Sequence, residues 1–513
     1  VAVHGHLGEQ ARPRNGARHG GQAVTVPPTL NKRGSPDPPR NRLDGRSEAM
    51  LRNACGFALL VVLLAGAMAG AAEPAAERTP LLADWEALKY GMFIHYGMST
   101  FTASEIDNGA APAATYAPTN LDVAQWVRVA KDAGMKYIIL TSKHVAGFCL
   151  WDSEGYDYDV AASPVKTDVI AEFMRACKAE GIKPGLYYCV LDGHNEGGVK
   201  WQAAVDEKYF ALIKHHLAEL HTRYPGLFEQ WIDIPMKLSP AQRTELYQLV
   251  KRLSPNCLVM MNCGFTDGVK VQPGCWPTDL VDGERTLPPP AGHKPLKQIA
   301  GKTFYIPMEV CDTLTANWFW LPNDPPKSVR ALHKLYSNTV SRGANLLLDV
   351  PPDKTGRIPQ DLVDRLVELK KVIDNPSLLP PPESLTYGAK AKASNVYRKD
   401  HQWNPEFAVD DDPTTRWACD DDQKQAWLEV DLGKPATFSR AMISEAYPKR
   451  VQSFALQYKD GDAWKTLARG TTIGEKWTAE FEPVTAQVVR LTVLEATIGP
   501  TIREFQLYPP KKK

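Results

Sequence analysis

The chain has 513 residues, room for two or three domains, and 60 Lys and Arg balance 59 Asp and Glu to a net charge of +1. That balance argues against nucleic acid as a partner and against a charged membrane face. The 13 Trp lean towards carbohydrate, because indole rings stack on the apolar faces of sugars.

Residues 1–49 are rich in Arg, Gly and Pro, lack periodicity and cannot bury a core. The first Met is Met50. Residues 50–72 read as a secretory signal: Arg52, an apolar run from Phe57 to Leu64, then small residues before Glu73 and Pro74. A signal works at an N-terminus, so 1–49 reads as an over-extended start. The mature protein is expected to be secreted or periplasmic, with no membrane attachment after cleavage, since the run is short for a span. Beyond Cys55, eight scattered Cys without a CxxC read mostly as small buried hydrophobes, with no disulfide assignable.

From 80 to 375 helices and strands alternate. A first strand runs from Gly91 to His95. Helix 121–133 leads to strand 137–141, whose apolar Tyr137–Leu140 is followed at once by Thr141, Ser142, Lys143 and His144. Helices 167–180, 207–222 and 240–253 lead to strands 183–190, 228–233 and 257–262. A loop with many Pro and Gly, 264–302, precedes strand 303–309; helix 327–341, strand 344–349 and helix 359–374 close the series. Seven or eight strands over about 290 residues predict an α/β fold, a (β/α)8-like barrel rather than an open sheet. No glycine-rich dinucleotide fingerprint follows a strand. A Pro-rich linker spans 376–384. Residues 385–510 then read as an antiparallel β-sandwich, with short strands at 427–433, 440–444, 454–458, 488–493 and 503–508.

The carboxyl ends of barrel strands converge on one pocket. Here they carry His95, His144, Tyr187 or Tyr188, Asp233, Asn262 and Glu309, with Glu284 in the loop 276–290. An acid ending an apolar strand, as Asp233 does, is costly unless paired or catalytic. Two carboxylates among His, Tyr and Trp form the outfit of a glycoside hydrolase. A metal site is the rival, weakened because His95 and His144 lack a helical i, i+4 partner.

GMFIHYG, AKDAGMKYIILTSKHVAGFCLWDS, KPGLYYC, QWID and SRGANLLLDVPPDKTGRIP resemble, in order, the α-L-fucosidases of glycoside hydrolase family 29. The resemblance implies release of terminal α-L-fucose from fucosylated glycans with retention and without a catalytic cofactor or metal. It places the nucleophile at Asp233 and sugar contacts at His95, His144, Trp151 and Tyr187 or Tyr188, with Trp318 nearby. The acid/base is Glu284 or Glu309, and a loop position over the pocket favours Glu284. Two departures stand out: Val145 and Ala146 replace a second His and an Asp after His144, and Ile234 replaces a Gly after Asp233. The first opens two alternatives, a related substrate such as an α-L-galactoside, or a glycan-binding protein on a degenerate barrel. Residues from about Tyr387 to Tyr508 resemble a discoidin, or F5/8 type C, domain, a group that includes carbohydrate-binding modules. There Asp410, Asp412 and Thr415 suit a structural Ca²⁺, and Trp403 and Tyr447 are loop aromatics suited to ligand contact.

Overall fold

The structure, a computed structural model, describes residues 72–511 apart from 264–269, 400 and 413–414. The readings of 1–49 as an over-extended start and of 50–72 as a signal lie, but for Ala72, outside these residues. Among the described residues no helix is long and apolar enough to cross a membrane.

The first half runs α1 (Pro80–Leu88), β1 (Tyr90–Ile94), α2 (Met98–Thr102), α3 (Val123–Asp132), β2 (Tyr137–Lys143), α4 (Val169–Glu180), β3 (Lys183–Cys189), α5 (Glu207–Arg223), β4 (Glu229–Asp233), α6 (Pro240–Leu253) and β5 (Leu258–Asn262). It continues through β6 (Val281–Asp282), β7 (Leu296–Ile299), β8 (Lys302–Tyr305), β9 (Met308–Thr313), α7 (Val329–Ser341), β10 (Ala344–Asp349) and α8 (Gln360–Asp374). The helices begin where side-chain oxygens satisfy free N–H groups: Asp122 caps α3, Asp168 caps α4, Asp206 caps α5, and Ser239 with Gln242 forms a capping box on α6.

Eight strands form one sheet in the order β5-β4-β3-β2-β1-β10-β9-β6. A parallel bridge from Met260 to Leu280 brings its two edges together, so the barrel is nearly closed. The predicted barrel is therefore present. Phe93, Tyr187, Trp231, Met260, Cys311 and Leu347 fill its interior. A larger core lies between strands and helices, with Ile138, Leu140, Phe173, Leu217, Leu246 and Leu366. Helix α1 buries Trp85 in the same cluster as the barrel interior.

The expected strand 303–309 is two elements. Pro307 removes a donor from the ladder, so Lys302–Tyr305 pairs in a hairpin with β7 and the barrel strand begins only at Met308. Strand β6 has two residues, too few to display a period.

After a short turn at Pro376–Leu378 the second half is antiparallel: β11 (Lys390–Ala393), β12 (Trp417–Ala418), β13 (Ala426–Glu445), β14 (Val451–Asp460), β15 (Ala463–Gly470), β16 (Trp477–Ala496) and β17 (Thr501–Tyr508). The predicted strands 427–433 and 440–444 are one strand, β13, with register shifts between Asp431 and Ala436 and between Phe438 and Arg440. Both stretches of β13 face a shared core of Trp417, Leu428, Phe438, Ile443, Phe454 and Phe505. Cys263 and Cys275 form a disulfide, a pairing that spacing alone did not assign, and six further cysteines are buried free thiols.

Candidate active site

Side-chain parity at the strand ends selects what enters the pocket. On β2, Lys143 turns to the outer layer, where its ammonium pairs with Asp192 at 2.8 Å and lies 4.7 Å from the Tyr188 ring. His144, one residue on, turns to the pocket and stacks on Tyr187 with ring centres 5.4 Å apart. The turn beyond needs Gly147: it has φ +85°, and a Cβ there would stand 2.4 Å from an Asp192 oxygen.

The same parity separates the two tyrosines. The Tyr187 hydroxyl donates to Asp233 Oδ2 at 2.6 Å, whereas that of Tyr188 meets His216 Nδ1 at 3.0 Å behind the sheet. Asp233 closes β4 in register with Asn262 at the end of β5. Asn262 Nδ2 donates to Asp233 Oδ1 at 2.9 Å and to Glu284 Oε2 at 3.2 Å. Glu284 follows β6 in a turn that holds Arg285 at φ +51°. Arg285 donates to the Ala316 carbonyl at 3.1 Å, and its guanidinium lies 5.1 Å from the Trp318 ring. His95 follows β1, and both its backbone N–H and its Nδ1 bond Asp349 Oδ1, at 3.2 and 2.7 Å. The His95 ring lies 5.5 Å from His144 and 5.0 Å from Trp318. Phe319, 5.3 Å from the His95 ring and 4.9 Å from that of His144, completes the apolar side, and Val145 is buried in the same apolar cluster.

Burial sets the charges. It lowers His95 to about 3 and pushes His144 well down, so both imidazoles are neutral at neutral pH. His144 Nδ1 has no hydrogen-bond partner among the described residues. Burial pushes Asp233 up to about 7; the Tyr187 and Asn262 hydrogen bonds oppose the rise and the Glu284 charge adds to it. Glu105, in the loop after α2, is raised by burial and feels Arg285, Glu284 and Asp349. One wall of the pocket is thus acidic and the other aromatic.

Of the expected site residues, the structure brings together Asp233, Glu284, His95, His144, Tyr187 and Trp318. Three others sit elsewhere. Trp151 is buried between strands and helices, its indole donating to Glu219 at 3.0 Å. Tyr188 lies in that layer for the parity reason given. Glu309 is the second residue of β9 and not the last residue of a strand, because Pro307 delays the strand. It lies low in the barrel, where Trp231 and Tyr137 donate to it and Glu229 shares a hydrogen bond with it. Asp349, Arg285, Glu105 and Phe319 were not anticipated. Asp349 carried the signal that exposed Asp233, an acid ending an apolar strand.

At the predicted cation site, Asp410 Oδ1 accepts from the Thr415 hydroxyl at 2.9 Å and from the Asp412 N–H at 3.2 Å. Lys334 and Lys327 of the barrel come within 3.9 Å of Asp410 and 4.0 Å of Asp412. Burial, then Asp412, pushes Asp410 up to about 7, and burial with Asp410 and Asp411 pushes Glu504 well up. Among the described residues no three His, Cys, Asp or Glu side chains are already arranged to hold an ion. Glu504 Oε1 is nevertheless buried without a hydrogen-bond partner there, and an orphan carboxyl oxygen beside clustered acids fits a hard cation.

The family model described as Alpha-L-fucosidase matches residues 110–374, and the one described as F5/8 type C domain matches 390–505. A candidate α-L-fucosidase 1 from Oryza sativa subsp. japonica is 29% identical over 88% of this chain and 89% of its own. The α-L-fucosidase 1 of Arabidopsis thaliana is 29% identical over 83% of this chain and 86% of its own. A crystal structure of a candidate α-L-fucosidase from Bacteroides thetaiotaomicron, 27% identical, superposes with a TM-score of 0.50 over 85% of this chain and 99% of that one. The chain belongs to the α-L-fucosidase family, a family of fucoside hydrolases, and carries an F5/8 type C domain behind its barrel.

Proposed function

We propose that the barrel is a retaining exo-α-L-fucosidase with Asp233 as nucleophile and Glu284 as general acid/base. The observation that carries this reading is the Asn262 amide, which donates to both carboxyls, at 2.9 and 3.2 Å. Two bonds meeting at one nitrogen keep those oxygens within about 6 Å, and about 5.3 Å apart if each takes its own N–H of the planar amide. A retaining pair works at about 5–5.5 Å, and an inverting pair stands further apart to admit a water.

In this reading Asp233 attacks the anomeric carbon while Glu284 gives its proton to the departing oxygen. Water, deprotonated by Glu284, then breaks the glycosyl ester and restores both carboxyls. Tyr187 holds the attacking carboxylate through its hydroxyl. The neutral His95 and His144 offer ring nitrogens to sugar hydroxyls, and Trp318, Phe319 and Val145 form an apolar wall suited to the methyl group of a 6-deoxy sugar.

The test is hydrolysis of an aryl α-L-fucoside. Asp233→Ala is expected to lower kcat by about 10³-fold or more. Azide should restore part of the rate and yield a fucosyl azide of inverted anomeric configuration. Fucose binding without turnover by the wild type would instead favour a glycan-binding barrel. Faster turnover of the α-L-galactoside would mark Val145 as a change of specificity.

Export of the protein is part of the same proposal. The Cys263–Cys275 disulfide supports an oxidising compartment. A Ca²⁺ held by Asp410, Asp412 and Thr415, with Glu504 added, and glycan binding by the sandwich complete it.

A further inference from the structure

One end of the sandwich stacks arginines on aromatic rings. Trp403 closes a short turn, Arg416 immediately precedes β12, Tyr447 and Arg450 lie between β13 and β14, and Arg503 is on β17. Strand β12 runs antiparallel to β17 with Trp417 opposite Ile502, a register that sets Arg416 beside Arg503. The Arg416 guanidinium lies 4.3 Å from the Trp403 ring and 5.3 Å from that of Tyr447, and Arg450 lies 4.3 Å from the Tyr447 ring. Tyr447 is 47% exposed.

Three like charges are crowded here. Burial, and behind it the fields of Arg503 and Arg450, pulls the Arg416 guanidinium below its ordinary value. Among the described residues none of the three forms an ion pair. Arg450 donates to the Gly499 carbonyl at 3.0 Å, and Arg416 reaches the Tyr447 hydroxyl at 3.4 Å. The buried Nε of Arg416 has no hydrogen-bond partner among the described residues. Glu445, the carboxyl that Arg450 influences, is turned inward and accepts from the N–H groups of Val451 and Gly474.

The same domain contains a stack that is complete without a ligand. Arg490 lies 4.7 Å from the Trp427 ring and 3.9 Å from that of Trp464, and Glu429 takes its charge through bonds of 2.6 and 3.2 Å. The stack at Arg416 has the rings and the cations, and no anion among the described residues pairs with it. Guanidinium forks match carboxylate and sulfate, and stacking on rings holds them in place beforehand. The exposed Tyr447 ring, with the half-buried Trp403 near it, suits a sugar ring.

We propose that this end of the sandwich binds an acidic saccharide, with Arg416, Arg450 and Arg503 taking its carboxylate or sulfate and Tyr447 and Trp403 packing on the ring. The choice of a saccharide over other polyanions rests on the reading of the barrel as a glycan hydrolase. Probes without fucose keep the two readings separable.

The full chain is titrated with oligogalacturonate, a sulfated galactan oligosaccharide, a neutral galactan oligosaccharide and single-stranded DNA. At least one acidic saccharide is expected to bind about tenfold or more tightly than the neutral one. Arg503→Glu and Arg450→Glu should each weaken that binding by about tenfold without moving the unfolding midpoint. Arg503 is exposed, so its variant remains informative if the Arg450 variant fails to fold. Preference for oligogalacturonate assigns the group to carboxylate, and preference for the galactan assigns it to sulfate. Equal binding of the neutral saccharide, no binding of either acid, unchanged affinity in Arg503→Glu, or tighter binding of DNA would overturn the proposal.

Discussion

The Asp233 carboxyl is pulled two ways, up by burial and Glu284, down by Tyr187 and Asn262, and comes to rest at about 7. As the proposed nucleophile it acts only when ionised. The kcat/KM for an aryl fucoside should therefore fall on the acid side with an apparent pKa of about 7, approaching tenfold per pH unit below that. Asn262→Ala removes a bond that lowers this value, so the acid limb should move to higher pH; a limb that stays put would release Asn262 from that role. The next residue, Ile234, has φ +56° and ψ +43°, the left-handed region that a β-branched side chain resists. Ile234→Gly is expected to stabilise the fold by about 1 kcal/mol in urea unfolding, the relieved strain outweighing lost packing. The Gly found there in the resembled family has this physical reason. Asp233 was legible in the sequence as an acid ending an apolar strand, a signal that Asp349 shares, and the family resemblance singled it out as the nucleophile. The choice between Tyr187 and Tyr188 was not, since it depends on which face of β3 turns inward.

At the scale of the element, β9 shows how one proline moves a site. Thr303–Glu309 reads as one apolar strand ending in an acid, but Pro307 splits it, and Glu309 falls near the amino end of the barrel. Strand β4 puts Glu229 four residues before Asp233, about 13 Å lower at ~3.3 Å per residue. Glu309 bonds that Glu229. Burial raises both acids, Glu309 to about 7 and Glu229 well up, and a proton kept on Glu229 lets one carboxyl donate to the other. Glu309→Gln keeps the shape and most of the bonds and should retain aryl-fucoside turnover within about tenfold. Glu309→Ala strands the Tyr137 hydroxyl and leaves the Trp231 indole bonded only to Glu229, and should cost about 2 kcal/mol of stability, measured by denaturant unfolding. A catalytic role for Glu309 would reverse the first result.

At the scale of the molecule, the acidic turn of the sandwich faces barrel lysines, and its charge couples stability to pH and to cations. Asp410 at about 7 in the folded state is above its unfolded value, so the folded chain holds a proton that the unfolded chain releases. Its stabilising share is full below about pH 4 and is lost as pH rises through about 7. Millimolar Ca²⁺ should raise the unfolding midpoint at pH 8 by several degrees, and by less at pH 5, with Glu504→Gln reducing the shift. An unmoved midpoint at pH 8 would remove the cation from this site.

The sequence by itself determined the alternation that makes a barrel, the switch to a β-sandwich after the prolines, and the place of Asp233 as an acid ending an apolar strand, because hydrophobic period and the cost of a buried acid are local properties of the chain. Tertiary structure decided which of the strand-end candidates share the pocket. It set the inward parity of Tyr187, set Glu309 low in the barrel beside Glu229, delivered Asp349 to His95, and placed Asn262 between Asp233 and Glu284. Those outcomes depend on strand register and barrel closure between residues far apart in the chain, and no local pattern encodes them.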